Sequence, residues 1–81
     1  MPPYRLDDNA FPDLCRSRQL STWAEHLLRR KIEEVRRLEK PRSLGGAFYG
    51  KWGYPAGKFH IICRIDDAAR VVIIKTLARL G

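Results

Sequence analysis

Residues 52–77 read Trp-Gly-Tyr-Pro-Ala-Gly-Lys-Phe-His-Ile-Ile-Cys-Arg-Ile-Asp-Asp-Ala-Ala-Arg-Val-Val-Ile-Ile-Lys-Thr-Leu. The run is rich in β-branched and aromatic residues, which are enriched in strands, and residues 66–70 interrupt it with the composition of a turn. The pattern predicts three antiparallel strands in which a basic residue or a histidine recurs among apolar ones.

The segment 58–66 alternates, so its two faces can be separated. The odd-numbered residues are all apolar and are predicted to share one face, while most even-numbered ones are polar and are predicted to share the other. Residues 71–77 are predicted to form the returning strand. The two faces consist of Phe59, Ile61, Cys63 and Ile65, and of His60, Ile62, Arg64 and Asp66.

Upstream of this run the sequence predicts a short strand and a short helix. Tyr4 and Leu6 alternate with polar residues, which indicates a strand at the start of the chain. Asp8 or Asn9 is predicted to cap a helix through residues 11–14, since a proline in a first helical turn costs no hydrogen bond.

A second helix is predicted from a capping box. Thr22 and Glu25 stand at the spacing at which each side chain accepts from the backbone N–H of the other, and Pro41 is predicted to end the helix. Apolar residues recur at steps of three and four and are predicted to face the core. The basic residues off this stripe form either a solvated face or a surface that contacts phosphate or an acidic partner. The stripe is Ala24, Leu28, Ile32, Val35 and Leu38, and the basic residues are Arg29, Arg30, Arg36, Arg37 and Lys40.

Composition limits the classes of protein to consider. The 81 residues support one domain, 1–81, with a modest core, and 44% hydrophobic residues exclude the charge-dominated disordered class. Lys and Arg outnumber Asp and Glu by 16 to 9, and the formal charge of +7 favours nucleic acid, an acidic protein or an anionic surface as partner. No apolar stretch approaches the roughly 20 residues that span a bilayer, and no secretory leader is recognised, so we expect a cytoplasmic protein.

The sequence does not support a cysteine site or a nucleotide-binding loop. Cys15 and Cys63 lie far apart with no second ligand at metal spacing, so neither a disulfide nor a metal site is expected. Gly45, Gly50 and Lys51 match most of the phosphate-binding motif G-x-x-x-x-G-K-[ST], but a tryptophan stands where the magnesium-binding hydroxyl belongs. We therefore expect no nucleotide hydrolysis and no cofactor.

The sequence leaves three roles open for His60: a phosphate contact or proton transfer, an ordinary exposed strand histidine, or a metal ligand. Trp52 and Tyr54 fit packing in the core or at a sheet edge, and alternatively stacking with an unpaired base. His26 lies within the second helix and is assigned no role. Basic residues around the predicted sheet give a charge distribution suited to RNA or to an acidic polypeptide. They are Lys51, Lys58, Arg64 and Arg79.

The second half of the chain resembles the RelE/ParE superfamily, the toxins of bacterial type II toxin–antitoxin modules. The resemblance is carried by Leu-Glu-Lys-Pro-Arg-Ser-Leu-Gly at 38–45, by Gly-Lys-Trp-Gly-Tyr-Pro-Ala-Gly-Lys-Phe-His-Ile-Ile-Cys-Arg-Ile-Asp-Asp at 50–67 and by Val-Val-Ile-Ile at 71–74. The family pattern is Asn-Pro-Arg near the helix end, Trp-x-Tyr-Arg-x-Gly-Asp-Tyr-Arg-Ile-Ile in the central hairpin and Gly-His-Arg after the last strand. Pro55 and His60 stand where this pattern has arginines, and the last motif falls near Ala78 and Arg79.

The resemblance implies an α+β fold in which an N-terminal helical hairpin packs on a small twisted antiparallel sheet, the microbial-RNase-like architecture. In the RelE branch such proteins cut mRNA in the ribosomal A site, and no metal is required. In the ParE branch the same fold inhibits DNA gyrase and cuts no RNA. The resemblance also implies an acidic antitoxin as partner, in a complex such as a heterotetramer. No membrane association is expected, because the apolar stretches are too short.

By this resemblance the protein is expected to inhibit translation as a ribosome-dependent mRNA endoribonuclease, with the ribosome and mRNA as partners. His60 and Arg79 are the predicted catalytic residues. Because Pro55 removes one cation of the family pattern, the alternative is a ParE-like gyrase inhibitor, or a catalytically impaired member that mainly binds its antitoxin. The predicted RNA-binding residues are Lys51, Lys58, Arg64 and Tyr54.

Overall fold

The computed structural model describes residues 4–37 and 40–79. The elements are β1 (Arg5–Asp7), α1 (Phe11–Ser17), α2 (Thr22–Arg36), β2 (Gly46–Phe48), β3 (Lys51–Ala56), β4 (Phe59–Asp66) and β5 (Val71–Arg79), with a 3₁₀ turn at Pro41–Ser43. The fold is therefore α+β, with two helices and a five-stranded mixed sheet. The predicted short first strand is confirmed, and both helices follow it in the chain.

The strands lie in the order β1-β5-β4-β3-β2, and all neighbours are antiparallel except β1 and β5. The three antiparallel strands predicted within residues 52–77 are β3, β4 and β5. The prediction that the sheet is antiparallel throughout is wrong at β1, which is parallel to β5. Short turns join antiparallel strands, but β1 and β5 are separated by every other element of the chain, so no turn fixes their relative direction.

The first helix begins later than predicted. Its N-cap is Ala10, and no side chain caps it. The carboxylate of Asp8, a predicted cap, instead accepts a hydrogen bond from Arg36 at 2.7 Å. The other predicted cap, Asn9, donates its backbone N–H to Asp7 at 3.1 Å. The cap prediction is therefore wrong, because both candidates belong to the turn that leads out of β1.

The second helix is capped by Ser21, whose Oγ accepts from the backbone N–H of Ala24 at 3.1 Å. The predicted capping box is therefore wrong by one residue, and its Glu25 accepts instead from Arg29, one helical turn further on. The helix ends at Arg36, before Pro41 is reached. The predicted stripe residue Leu38 lies outside the described residues.

The core lies between the helices and one face of the sheet. On α2 the predicted stripe is confirmed where Leu28, Ile32 and Val35 are buried. On β4 the predicted face is confirmed, since Ile61 and Cys63 are core residues against which the rest of that face packs. The core consists of Leu6, Phe11, Cys15, Leu28, Ile32, Val35, Tyr54, Ala56, Ile61, Cys63, Val72, Ile74 and Leu77.

A β-bulge in β5 reverses which side chains face the core. Ile62 pairs with Thr76 and Cys63 pairs with Ile74, so Lys75 has no partner on β4. Strict alternation from Ile74 would turn the next apolar residue, Leu77, away from the core. The extra residue of the bulge turns Leu77 back towards the core, where it is buried.

We call the sheet surface opposite the helices the open face. Residues paired across an antiparallel ladder share a face, so the Gly53–Ile62 and Pro55–His60 pairs lie on this surface, between pairs that contact the core. Extending the register to β1, β2 and β5 gives its membership. The open face consists of Arg5, Asp7, Gly46, Phe48, Lys51, Gly53, Pro55, His60, Ile62, Arg64, Asp66, Val71, Ile73, Thr76 and Ala78.

Candidate functional site

His60 lies on the open face between Pro55 of β3 and Ala78 of β5. Its partly exposed ring stacks on Phe48, with the ring centroids 6.1 Å apart and the planes at 27°. Gly53 makes room for this arrangement, because a Cβ at that position would lie 3.1 Å from Cδ2 of His60. The imidazole is thus held against the sheet by β2 and β3.

The Nδ1 atom of His60 is buried and has no hydrogen-bond partner among the described residues. Few buried polar atoms in folded proteins lack a partner, so each one calls for an explanation. In the uncharged imidazole, a proton on Nδ1 would be a buried donor without an acceptor, which favours the tautomer with its proton on Nε2. In that form the ring can donate a hydrogen bond from Nε2, for example to a phosphate oxygen.

Two of the cations on the open face, which also carries Arg5 and the carboxylates of Asp7 and Asp66, line one cleft. Lys51 and Arg64 line an open cleft of about 300 Å³ beside the β2–β3 turn. Within the described part of the chain, Lys51 has no ion-pair partner, and Arg64 makes only a 3.5 Å contact with Asp66. Exposed pairs of this length contribute little, so both cations remain available to an anionic ligand.

The third basic residue of the cleft, Arg42, is already engaged. Its guanidinium donates to both carboxylate oxygens of Asp67, at 2.9 and 3.1 Å. The hydroxyl of Tyr4 donates to the same carboxylate at 2.5 Å. These hydrogen bonds, from Arg42 first and Tyr4 second, lower the pKa of Asp67 from 3.8 to about 2.

Replacing Asp67 with asparagine is expected to make the melting temperature fall less as the pH is lowered into the acid range. Because the pKa of Asp67 is depressed in the folded state, its contribution is present above about pH 4 and disappears as the pH falls towards about 2. Melting temperatures of the wild type and Asp67→Asn should therefore differ most near neutral pH and converge in acid. Asp13→Asn, which breaks an exposed pair on α1, serves as control. A constant difference across the pH range would contradict the assignment.

Tyr54 cannot bind RNA as predicted, because its side chain is fully buried in the core. Its hydroxyl donates to the backbone carbonyl of Pro41 at 2.5 Å, and burial raises the pKa of the phenol far above its ordinary value. Trp52 likewise donates its indole N–H to the carbonyl of Leu44 at 2.7 Å. Both aromatics thus anchor the segment between α2 and β2. For Tyr54, the structure shows core packing, which the sequence had left open as the alternative to base stacking.

Replacing Tyr54 with phenylalanine is expected to destabilise the protein by about 1–2 kcal/mol, because the buried Pro41 carbonyl loses its donor while the core volume is kept. Urea unfolding measures this free energy. Tyr4→Phe is the matched control, since it removes a hydroxyl whose partner carboxylate stays exposed. Equal effects of the two substitutions would contradict a buried role for the Tyr54 hydroxyl.

The structure does not bring the predicted catalytic residues His60 and Arg79 together. Arg79 pairs with Phe59, whose side chain packs on the core side of the sheet. It lines a groove against the helices that also holds Lys58 and the exposed ring of Trp23. Arg79 and Lys58 therefore lie with the helices, whereas His60, Lys51 and Arg64 lie on the open face.

Phe48 and Gly53 were not predicted as site residues, although they shape the setting of His60. The strand that carries Phe48 has only three residues, too few for alternation to reveal it. The close approach at Gly53 was signalled by glycines among large aromatics in residues 45–54, a pattern that indicates close backbone contact.

Both cysteines are buried thiols. Burial raises the pKa of Cys63 to about 12 and raises that of Cys15, so neither thiol is a ready nucleophile. Among residues 4–37 and 40–79, no group of three His, Cys, Asp or Glu side chains is placed to hold a metal ion. Neither of the two described helices has the length and apolar character needed to cross a bilayer.

Comparison with models of known protein families finds no match to this chain, and comparison with curated proteins finds none either. The resemblance to the RelE/ParE superfamily therefore stays a prediction that rests on the residues quoted above.

Proposed function

We propose that this protein is the toxin of a type II toxin–antitoxin module, similar to RelE, and inhibits translation by cleaving mRNA on the ribosome in the cytoplasm. One observation carries the proposal: a partly exposed histidine and two available cations, His60, Lys51 and Arg64, lie on the same uncovered face of the sheet. The formal charge of +7 adds a long-range attraction to the ribosome and to mRNA.

The proposed reaction is an internal transesterification of RNA. The 2′-hydroxyl oxygen of one ribose attacks the adjacent phosphorus, the bond from phosphorus to the next 5′-oxygen breaks, and a cyclic phosphate and a free 5′-hydroxyl form. Lys51 and Arg64 lie about four residues along the ladder from His60, so they hold the phosphates of the strand and stabilise the charge on the phosphorane oxygens at longer range. Nε2 of His60 takes the proton from the 2′-hydroxyl and returns it to the leaving oxygen.

Proton transfer through His60 places a requirement on its other nitrogen. A ring that accepts a proton at Nε2 must carry a proton on Nδ1, and that atom has no acceptor among the described residues. Because Nδ1 is buried, cleavage requires the His60 ring to reorient in the substrate complex so that this nitrogen reaches an acceptor, as catalytic hydrogen bonds often form only there. This requirement is consistent with an activity that depends on the ribosome.

Two observations favour a second function in which the protein binds without cutting. Pro55, directly across from His60, supplies no cation, and Arg79 lies on the opposite side of the sheet. A protein with this arrangement would act as a ParE-like gyrase inhibitor, or mainly bind its antitoxin. In either case the cognate antitoxin is proposed to be acidic, in a complex such as a heterotetramer, because it must neutralise cations on both sides of the sheet.

The two functions are separated by adding the purified protein to purified ribosomes that translate a defined message. Primer extension maps new 5′ ends, and a gyrase supercoiling assay is run in parallel. New ends that appear only with ribosomes are expected. No cleavage at saturating protein, together with inhibited supercoiling, would exclude the nuclease and support the ParE-like function.

A further inference from the structure

Tyr49 occupies the tip of the β2–β3 hairpin with 93% of its surface exposed. Tyr49 and Gly50 form the two-residue turn between Phe48 and Lys51 and have φ angles of 46° and 79°. Positive φ at both central positions is the mark of a type I′ turn, which favours Asn-Gly over any aromatic residue. The fold therefore carries a strained tyrosine that buries almost none of its own surface.

Ring contacts connect Tyr49 to the candidate site. Its ring meets that of Phe48 edge to face at 5.0 Å, and Phe48 in turn stacks on His60. Three rings thus follow one another from the hairpin tip to the candidate site. Gly50, the neighbour of Tyr49 in the turn, lines the same cleft as Lys51 and Arg64.

We propose that Tyr49 is the surface on which one unpaired base of a single-stranded RNA stacks, while the phosphates of that strand lie along Lys51 and Arg64. This inference rests on the RNA binding proposed above and defines its substrate as a single strand. An exposed aromatic ring beside a cationic groove is the arrangement by which proteins bind unpaired bases without reading their sequence. In a duplex the bases are already stacked, so Tyr49 would find no free base face.

A protein partner fits this site less well. Apolar interface anchors are usually surrounded by other buried contacts, whereas the exposed neighbours of Tyr49 are small or charged: Gly46, Ala47, Gly50 and Lys51. The excess of cations here also complements phosphate. Binding of an acidic polypeptide in place of RNA is therefore one of the outcomes that the test distinguishes.

The test measures binding of a fluorescein-labelled oligoadenylate, alone and as its duplex with oligouridylate, to the purified protein. Tyr49→Asn is expected to bind the single strand about tenfold more weakly, and to melt no lower than the wild type because asparagine suits the turn. Tyr49→Gly should behave in the same way, while Tyr49→Phe and Tyr49→Trp should retain affinity. Trp23→Ala is the matched control, since Trp23 is equally aromatic, 71% exposed and on the helical side.

Unchanged single-strand affinity in Tyr49→Asn would overturn the inference, as would an equal loss for the duplex or an equal loss in Trp23→Ala. So would a wild type that does not bind the single strand, or a Tyr49→Asn protein that keeps its affinity for the single strand but loses binding to polyglutamate measured in parallel. The assay contains no ribosome, so its result is independent of cleavage. If single-strand binding depends on Tyr49 but no ribosomal cleavage occurs, only the nuclease proposal is refuted. If cleavage occurs but single-strand binding does not depend on Tyr49, only the role of Tyr49 is refuted.

Discussion

Replacing His60 with alanine is expected to lower ribosome-dependent cleavage by at least about 100-fold, the range that a general acid–base group contributes. The loss in the cleavage rate should far exceed the loss in stability, because among the described residues Nδ1 has no hydrogen bond to break and the ring loses only its packing against Phe48. Single-turnover primer extension measures the rate, and thermal unfolding checks the fold. Binding of the proposed acidic antitoxin should stay nearly unchanged.

Two further variants sharpen this result. His60→Phe keeps an aromatic ring against Phe48 but has no nitrogen, so it should be as inactive as His60→Ala. His26→Ala removes the other histidine, which is exposed on α2 away from the open face, and should cleave like the wild type. Full activity in His60→Phe would show that the ring only packs. Equal losses of cleavage and antitoxin binding in His60→Ala would make it part of the partner interface.

The part of the site that could be predicted from sequence is the part governed by strand alternation. His60 and Arg64 are both even-numbered residues of β4, and the structure places both on the open face, as alternation required. Arg79 was predicted to lie beside them but lies on the helical side of the sheet, because alternation fails where a strand gains a residue. Without the bulge at Lys75, the register would turn Arg79 to the open face and Leu77 away from the core.

The errors in the fold have equally local causes. The direction of β1 depends on a pairing with β5 across almost the whole chain, and three residues of alternation carry no information about it. Tyr54 was assigned to RNA because its position matched a functional motif. Its neighbours in the register, Ile61 among them, belong to the core, and alternation within β3 alone would have shown this.

Replacing Gly45 with alanine is expected to destabilise the protein by about 3 kcal/mol or more. Gly45 has φ +79°, which an L side chain adopts only at a cost, and a Cβ there would lie 2.0 Å from the carbonyl oxygen of Gly53. The obstacle is backbone, so no side-chain rotation can relieve it. The chain at Gly45 would have to move away from β3, and urea unfolding should show the loss.

Gly46→Ala is the matched control, since a Cβ at the next residue would meet nothing within 4 Å and the backbone there has no positive φ. It should change the free energy of unfolding by no more than about 0.5 kcal/mol. Because Gly45 leads directly into β2, its displacement should also separate Phe48 from His60 and weaken oligoadenylate binding more than Gly46→Ala does. If both alanine variants were equally stable, β2 would not be held against β3 by this contact, and Gly45 would have no part in positioning the open-face site.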